Sequence, residues 1–487
     1  MSEEIKNLSP KNLWKHFYAL TQIPRPSKHE QAAAEYVRKF GESLGLETRV
    51  DEVGNVVIIK PAKPGMENRK TIIMQGHVDM VPQKNNDTNH DFLKDPIQTY
   101  IDGDWVKARG TTLGADNGIG VAAALAVLEE DTLQHGPLEV FITIDEETGM
   151  TGAFGLKPGF INGDILLNLD SEDEGELYIG CAGGIDTNAE FFYKEETVPS
   201  DHTAYKIEVQ GLKGGHSGID IILCRGNSNK LINRLLWHGF REHKLRLASI
   251  DGGSLRNAIP RESFAIVTVP KSQQEKFETC FEKLAAEIIS EFESTDPDIA
   301  IKLTMTERPS ALIDEKTTEG LLNAIYASVD GIIRLSPNMQ GVVETSTNLA
   351  LIKSGNGKIT MGSLQRSSID PAKDAVAYSI RAAFESNGAK VEHKGEYPGW
   401  KPDINSPILH AMKESYNKKY GKIPELKVIH AGLECGIIGA ACGKELDMIS
   451  FGPTIRFPHS PDEKVNIKTV ELFYDFLLET LQNSPMK

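Results

Sequence analysis

At 487 residues the chain is too long for a single hydrophobic core, so two domains are expected. A formal charge of −16 argues against nucleic acid or an anionic membrane as a partner, both of which call for a basic surface. The five cysteines, Cys181, Cys224, Cys280, Cys435 and Cys442, are scattered without a C-x-x-C pair, so neither a disulfide framework nor a thiolate zinc site is indicated.

The start, MSEEIKNLSP, is polar and acidic, and the most apolar helical stretch, Val121–Leu128, is too short to span a bilayer. A cytoplasmic location is therefore expected. Ser9-Pro10 opens a helix to about Leu20, and Ile23-Pro-Arg-Pro26 breaks it. Ser27-Lys-His-Glu30 reads as a capping box for a second helix ending near Gly41. Glu47–Val53 and Val56–Lys60 form a hairpin around Gly54-Asn55.

The next segment, Thr71–Asp79 (TIIMQGHVD), organises the rest. Its apolar run is a buried strand of a parallel sheet, and His77 falls just past the end, where ligands gather in open α/β sheets. Asp79, two residues on, is placed to hold the His77 ring, as metal-bound histidines usually require. A glycine-rich loop, Gly110–Gly118, then leads into an alanine-rich helix, Ile119–Glu130, with Asp116 at its centre. Taken alone, Asp116 would simply cap that helix.

Two more apolar runs end in acids. Leu138–Ile144 finishes in Asp145-Glu146-Glu147, and Asp164–Leu169 finishes in Asp170. Near the C-terminus, the strand-like Leu446–Phe451 precedes a proline-punctuated loop carrying His459. Solvated acids are common where loops begin, but recurrence at the same topological point marks a site built from both ends of the chain. The middle is then an insertion. The expected architecture is α/β, with a catalytic domain of residues 1–184 and 389–487 and an inserted α+β domain of residues 185–388. In the insert, strands are read at Tyr205–Val209 and Phe264–Val269, and helices at Asn229–Glu242 and Gln274–Glu293.

His77, Asp116, Glu147, Asp170 and His459 are one ligand too many for a single tetrahedral ion, and they suit two metals sharing a bridging carboxylate. Imidazole with carboxylate favours zinc, with manganese or cobalt as alternatives. Glu146, beside Glu147 but not needed as a ligand, fits the general base of a hydrolysis. Gly355-Asn-Gly-Lys358 lacks the leading glycine of a phosphate-binding loop and reads as a turn.

These motifs, H-x-D at 77–79, G-A-D-N-G around Asp116, D-E-E at 145–147, Asp170 and P-H-S at His459, resemble the co-catalytic zinc exopeptidases related to aminoacylase and carboxypeptidase G. The long insert, G-G-H-S-G at 214–218 and A-G-L-E-C-G at 431–436 look like the aminoacyl-histidine dipeptidase branch, which includes cytosolic non-specific and carnosine-cleaving enzymes. The resemblance implies a zinc-exopeptidase-like catalytic domain, its mostly parallel central sheet flanked by helices, with the insert as a lid. It implies one metal on His77, Asp116 and Asp170 and a second on Asp116, Glu147 and His459. It also implies Glu146 as base and Asp79 as the residue orienting His77.

On the insert, His216 resembles a stabiliser of the tetrahedral oxyanion, and Asn257 and Arg366 resemble grips on the substrate carboxylate. The implied reaction is hydrolysis of dipeptides, including β-alanyl-histidine. An amidohydrolase of N-acyl amino acids or a tripeptidase is the nearest alternative, and a non-catalytic binding homologue the alternative of another class. Relatives of this kind are often dimers, which leaves a homodimer open.

Overall fold

The computed structural model describes Ser2–Lys487 and divides the chain into two units. The first comprises residues 1–180, 400–428 and 433–487; the second comprises 181–399 and 429–432. The expected boundaries at 184/185 and 388/389 become 180/181 and 399/400, with residues 429–432 added to the second unit. Lys390–Tyr397, placed after re-entry by the sequence reading, is a strand whose backbone pairs with the long strand Gly183–Phe192, so it belongs to the insert.

The first unit is built on an eight-stranded sheet. Its strands run in the order 47–50, 56–60, 138–143, 72–77, 165–168, 447–450, 176–181 and 425–429. The middle is parallel: Ile72–His77 pairs with both Leu138–Thr143 and Ile165–Asn168, and Ile165–Asn168 pairs with Asp447–Ser450. Outside this middle the pairing turns antiparallel, through the hairpin at 47–60 and through Glu176–Cys181. The parallel strands are buried on both faces, which explains why they read as unbroken apolar runs rather than alternating ones. The alanine-rich helix Ala115–Glu129 is buried almost throughout, small side chains letting neighbouring elements approach its whole circumference.

The second unit holds a nine-stranded sheet. Its main path runs 300–305, 202–210, 263–270, 246–252, 343–355, 358–367, 183–192 and 390–397, with Gly331–Leu335 pairing on 343–355. Every registered pairing in it is antiparallel. Residues from the helices Ser228–His243, Gln274–Phe292, Glu315–Ala327 and Asp370–Glu385 share one core with the sheet, including Leu231, Phe277, Leu321 and Phe384 against Val267, Leu349 and Phe191. The turn expected at Gly355–Lys358 joins the strands Val343–Gly355 and Lys358–Ser367. No helix among the described residues is long and apolar enough to cross a membrane.

Candidate metal centre

The carboxyl ends of the parallel strands assemble the site in the first unit. His77 is the last residue of its strand and is fully buried. Its Nδ1 lies 3.2 Å from Asp79 Oδ1, which leaves Nε2 facing the acids. Asp79 is a hub. It also accepts from Ser27 Oγ at 2.8 Å and from the backbone N–H groups of Glu146 and Glu147 at 3.0 and 3.3 Å. Burial alone would raise the Asp79 carboxyl, but the His77 hydrogen bond and charge, with these donors, hold it down to about 2. Asp79 therefore stays an anion, and it ties the ring of one candidate ligand to the loop bearing two candidate acids.

The capping box expected at Ser27–Glu30 does not form. The helix runs Gln31–Ser43 and its N-terminus receives no side-chain cap, because the Ser27 hydroxyl is spent on Asp79. Asp116 is no cap either. The helix beginning at Ala115 has non-helical backbone at Asp116 and Asn117, and the Asp116 side chain turns away to the two histidines.

Asp116 Oδ1 lies 3.1 Å from His77 Nε2, and Oδ2 lies 3.2 Å from His459 Nε2. His77 Nε2 is 3.5 Å from Asp170 Oδ1, and His459 Nε2 is 3.0 Å from Glu147 Oε2. Two triads result, His77–Asp116–Asp170 and Asp116–Glu147–His459, each with ligand atoms within 4.8 Å of one another. Each oxygen of Asp116 faces a different histidine, the arrangement a bridging carboxylate needs. The other Glu147 oxygen, Oε1, is buried without a hydrogen-bond partner. Five converging N/O donors, a shared carboxylate and this unpaired oxygen fit two divalent cations.

The electrostatics agree with a cluster of acids compressed beyond what water would tolerate. Burial, against the pull of His77 and with the push of Asp116 and Glu434, lifts Asp170 to about 7. The hydrogen bonds of Asp116 and Glu147 lift His459 to about 11. His459 also has a left-handed φ of 58°, a conformation histidine adopts more readily than bulkier residues and one that its carboxylate partners hold in place.

Glu146 begins the short helix Glu146–Gly149. Burial, opposed by His77 and reinforced by Asp170, Glu434 and Glu147, pushes its carboxyl well above the ordinary range. A carboxyl tuned this way is suited to take up a proton and give it back.

Several supporting residues escaped the sequence reading. Glu434, within A-G-L-E-C-G but without an expected role, is buried and accepts from Gln75 Nε2 at 2.6 Å and Thr143 Oγ1 at 2.8 Å. Asn168 donates to Gln75 Oε1 and Ser450 Oγ to Asn168 Oδ1, so a chain of hydrogen bonds crosses the parallel strands.

Glu463 receives four backbone N–H groups, those of Leu113, Gly114, Ala115 and Asp116. Arg25, fully buried, donates to the carbonyls of Val78, Asp79 and Gly114. A Cβ on Gly114 would stand 2.6 Å from the Arg25 guanidinium, and its φ of 71° is left-handed, so glycine is required there twice over. Together, Arg25 and Glu463 clamp the segments that present His77 and Asp116. The only sequence signals were a charge between two prolines and an acid following P-H-S. Glu463→Gln replaces one acceptor oxygen by an amide donor facing N–H groups, and is expected to weaken metal binding about 10–100-fold with the fold retained. Equilibrium dialysis with metal analysis checks this, and unchanged affinity would reduce Glu463 to a loop brace.

In the second unit, Gly215–His216 pairs with Ala258–Ile259, which sets Asn257 beside His216. Asn257 is exposed, and its carbonyl accepts from the Ser217 N–H at 2.8 Å. His216 Nδ1 accepts from the N–H groups of Gly218 and Ile219 at 3.1 and 3.0 Å. The proton of the neutral ring is then on Nε2, which is left as a donor. Arg366 is buried, hydrogen-bonded through one guanidinium nitrogen to Tyr397 Oη at 2.9 Å, with its Nε unpartnered.

The sequence reading also missed His430. The segment Ile429–Gly432 belongs to this unit, and His430 Nε2 lies 2.7 Å from Ser346 Oγ. Burial, then the Arg366 guanidinium and the neighbouring His216 imidazole, push His430 down to about 3, so it is neutral. His216, Arg366 and His430 thus form one cluster of donors and positive charge suited to an anion.

A mixed α/β sheet with a carboxylate-bridged pair of histidine triads at its strand ends defines the class of the two-metal hydrolases. The chain matches the model of peptidase family M20/M25/M40 over residues 73–483, and it belongs to that family. It is 46% identical over 484 residues to the cytosol non-specific dipeptidase of Escherichia coli (strain K12), covering 99% of this chain and 100% of that protein. It also superposes on the crystal structure of aminoacylhistidine dipeptidase from Vibrio alginolyticus with a TM-score of 0.96 and 48% identity, over 100% of both chains. Aminopeptidase PepT from Bacillus cereus ATCC 10987 shares the fold, with a TM-score of 0.57 and 17% identity over 98% of this chain and 99% of that one.

Proposed function

We propose that the chain is a metal-dependent dipeptidase that cleaves dipeptides broadly, Xaa-His dipeptides and β-alanyl-histidine among them. The observation that carries this reading is Asp116, whose two oxygens face His77 and His459 in separate triads while Glu146 stands beside them. The names of the relatives from Escherichia coli and Vibrio alginolyticus, each matched over essentially the full chain, support it. The naming of the first as a cytosol enzyme supports a cytoplasmic location.

His77, Asp116 and Asp170 would hold one cation, and Asp116, Glu147 and His459 the other. The imidazole–carboxylate donor set favours zinc. When bound, such ions polarise a peptide carbonyl and make water acidic enough to attack near neutral pH. The remaining work falls to the chain. Glu146 takes a proton from the attacking water and passes it to the departing amine. Asp79 fixes the His77 ring and, through two backbone N–H groups, the acids at 146 and 147.

His216, with its donor nitrogen free, is proposed to steady the oxyanion, and Asn257 and Arg366 to hold the substrate's carboxylate end. Arg366→Ala is expected to raise KM for dipeptides about 10–100-fold while metal content stays at the wild-type level. An unchanged KM would remove Arg366 from substrate recognition.

The test of the function is hydrolysis of β-alanyl-histidine by the purified protein, after chelation and again after zinc is restored. Activity is expected to vanish and return. Cleavage of N-acyl amino acids or tripeptides, but of no dipeptide, by the zinc-restored protein would overturn the dipeptidase reading and leave an amidohydrolase or tripeptidase.

A further inference from the structure

A second group of ligand-type side chains lies in the insert unit, away from every residue assigned above. Glu242 and His243 end the helix Ser228–His243, and Cys280 lies on the neighbouring helix Gln274–Phe292. One oxygen of Glu242, one ring nitrogen of His243 and Cys280 Sγ all lie within 4.8 Å of one another. Glu242 is exposed, Cys280 is half-buried and His243 is only 8% exposed.

His243 carries the independent observation. Both of its ring nitrogens are buried and neither has a hydrogen-bond partner. The ring rests edge-on against Phe277, centroids 6.0 Å apart, so apolar packing holds it without satisfying it. Buried polar groups are nearly always paired, so a buried imidazole without a protein partner, within reach of a thiol and a carboxylate, points to a ligand. The charges facing the thiol are Glu242, Glu287 and Lys283; burial first, then Glu242, raises the thiol above its ordinary value. His238 Nδ1 stands 3.8 Å from Glu242 Oε1 at the solvent edge.

We propose that Glu242, His243 and Cys280 form a separate site for a zinc-class divalent cation. Thiolate, imidazole and carboxylate are the three zinc donor types, and three protein ligands leave the fourth tetrahedral position to water. Binding displaces the Cys280 proton to solvent, and the dication neutralises one thiolate and one carboxylate. The exposed Glu242 gives the ion a direct path from solvent.

Cobalt(II) distinguishes this site from the candidate catalytic pair, because neither catalytic triad contains sulfur. Protein freed of metal by chelation is titrated with Co²⁺ and followed in the near ultraviolet. The wild type is expected to develop a thiolate-to-cobalt charge-transfer band that excess Zn²⁺ abolishes. Cys280→Ser should lose the band while keeping its dipeptide turnover, which also shows that it folds. His243→Gln keeps the thiol but should bind Co²⁺ at least about 100-fold more weakly, since even outer partners of metal ligands account for about 10–100-fold. No band in the wild type, an undiminished band in Cys280→Ser, or wild-type affinity in His243→Gln would each overturn the proposal.

Discussion

Glu146→Gln is expected to lower kcat for dipeptide hydrolysis by about 10²–10⁴-fold while the protein keeps both metal ions. The substitution retains the size of the side chain and the backbone N–H that Glu146 donates to Asp79, so the hub holding His77 survives. What disappears is the titrating carboxyl. Burial, Asp170, Glu434 and Glu147 raise that carboxyl against the pull of His77, so it can accept a proton and release it within one turnover. Asp79 is held anionic by four donors, and Asp170 and Glu147 each face a histidine. Turnover and metal content measured on the same sample decide the matter. A variant that loses metal would show that Glu146 is a ligand and that the role of base belongs elsewhere.

Asp116→Ala is expected to strip both ions, each site weakening by at least about 100-fold, because this carboxylate alone belongs to both triads. His459→Ala should affect chiefly the triad it shares with Glu147. The contrast between the two variants is more informative than either alone. Equilibrium dialysis with elemental analysis, alongside circular dichroism to confirm folding, provides the measurement. Two ions retained by Asp116→Ala would remove it as a bridge. The substitution would also leave His77 Nε2 facing Asp170 alone and His459 facing Glu147 alone, so the acids would lose the element that relates them.

The legible part of the molecule is the part whose signal is local. Parallel strands buried on both faces read as continuous apolar runs, and a histidine or an acid stands at, or a few residues beyond, the carboxyl end of each. His77, Glu147 and Asp170 are candidates on this signal, and Asp79 comes with His77 because a spacing of two keeps them adjacent. Asp116 was marked by its glycines. Boundaries were less legible. Lys390–Tyr397 alternates as any exposed strand might, and only its pairing with Gly183–Phe192 shows which unit it joins.

Ser27 illustrates the limit from the other direction. Ser-x-x-Glu before an apolar helix is a local capping signal, but a buried aspartate competes for the same hydroxyl and wins, since a desolvated anion gains more from a donor than a helix end that water can reach.

The sequence by itself thus determined which residue types stand at the candidate site: two histidines and three acids, more than one ion would need, with a further glutamate beside them. Tertiary structure alone decided the supports. Glu463 meets Asp116 across 347 residues, Glu434 meets Gln75 across 359, and His430 meets Ser346 across 84. Arg25, Glu434, Glu463 and His430 carry no periodic or neighbouring signal, because their partners are backbone groups and side chains brought near only when the chain closes on itself. Burial then sets their charge, and a buried group's charge depends on everything packed around it rather than on its neighbours in the chain.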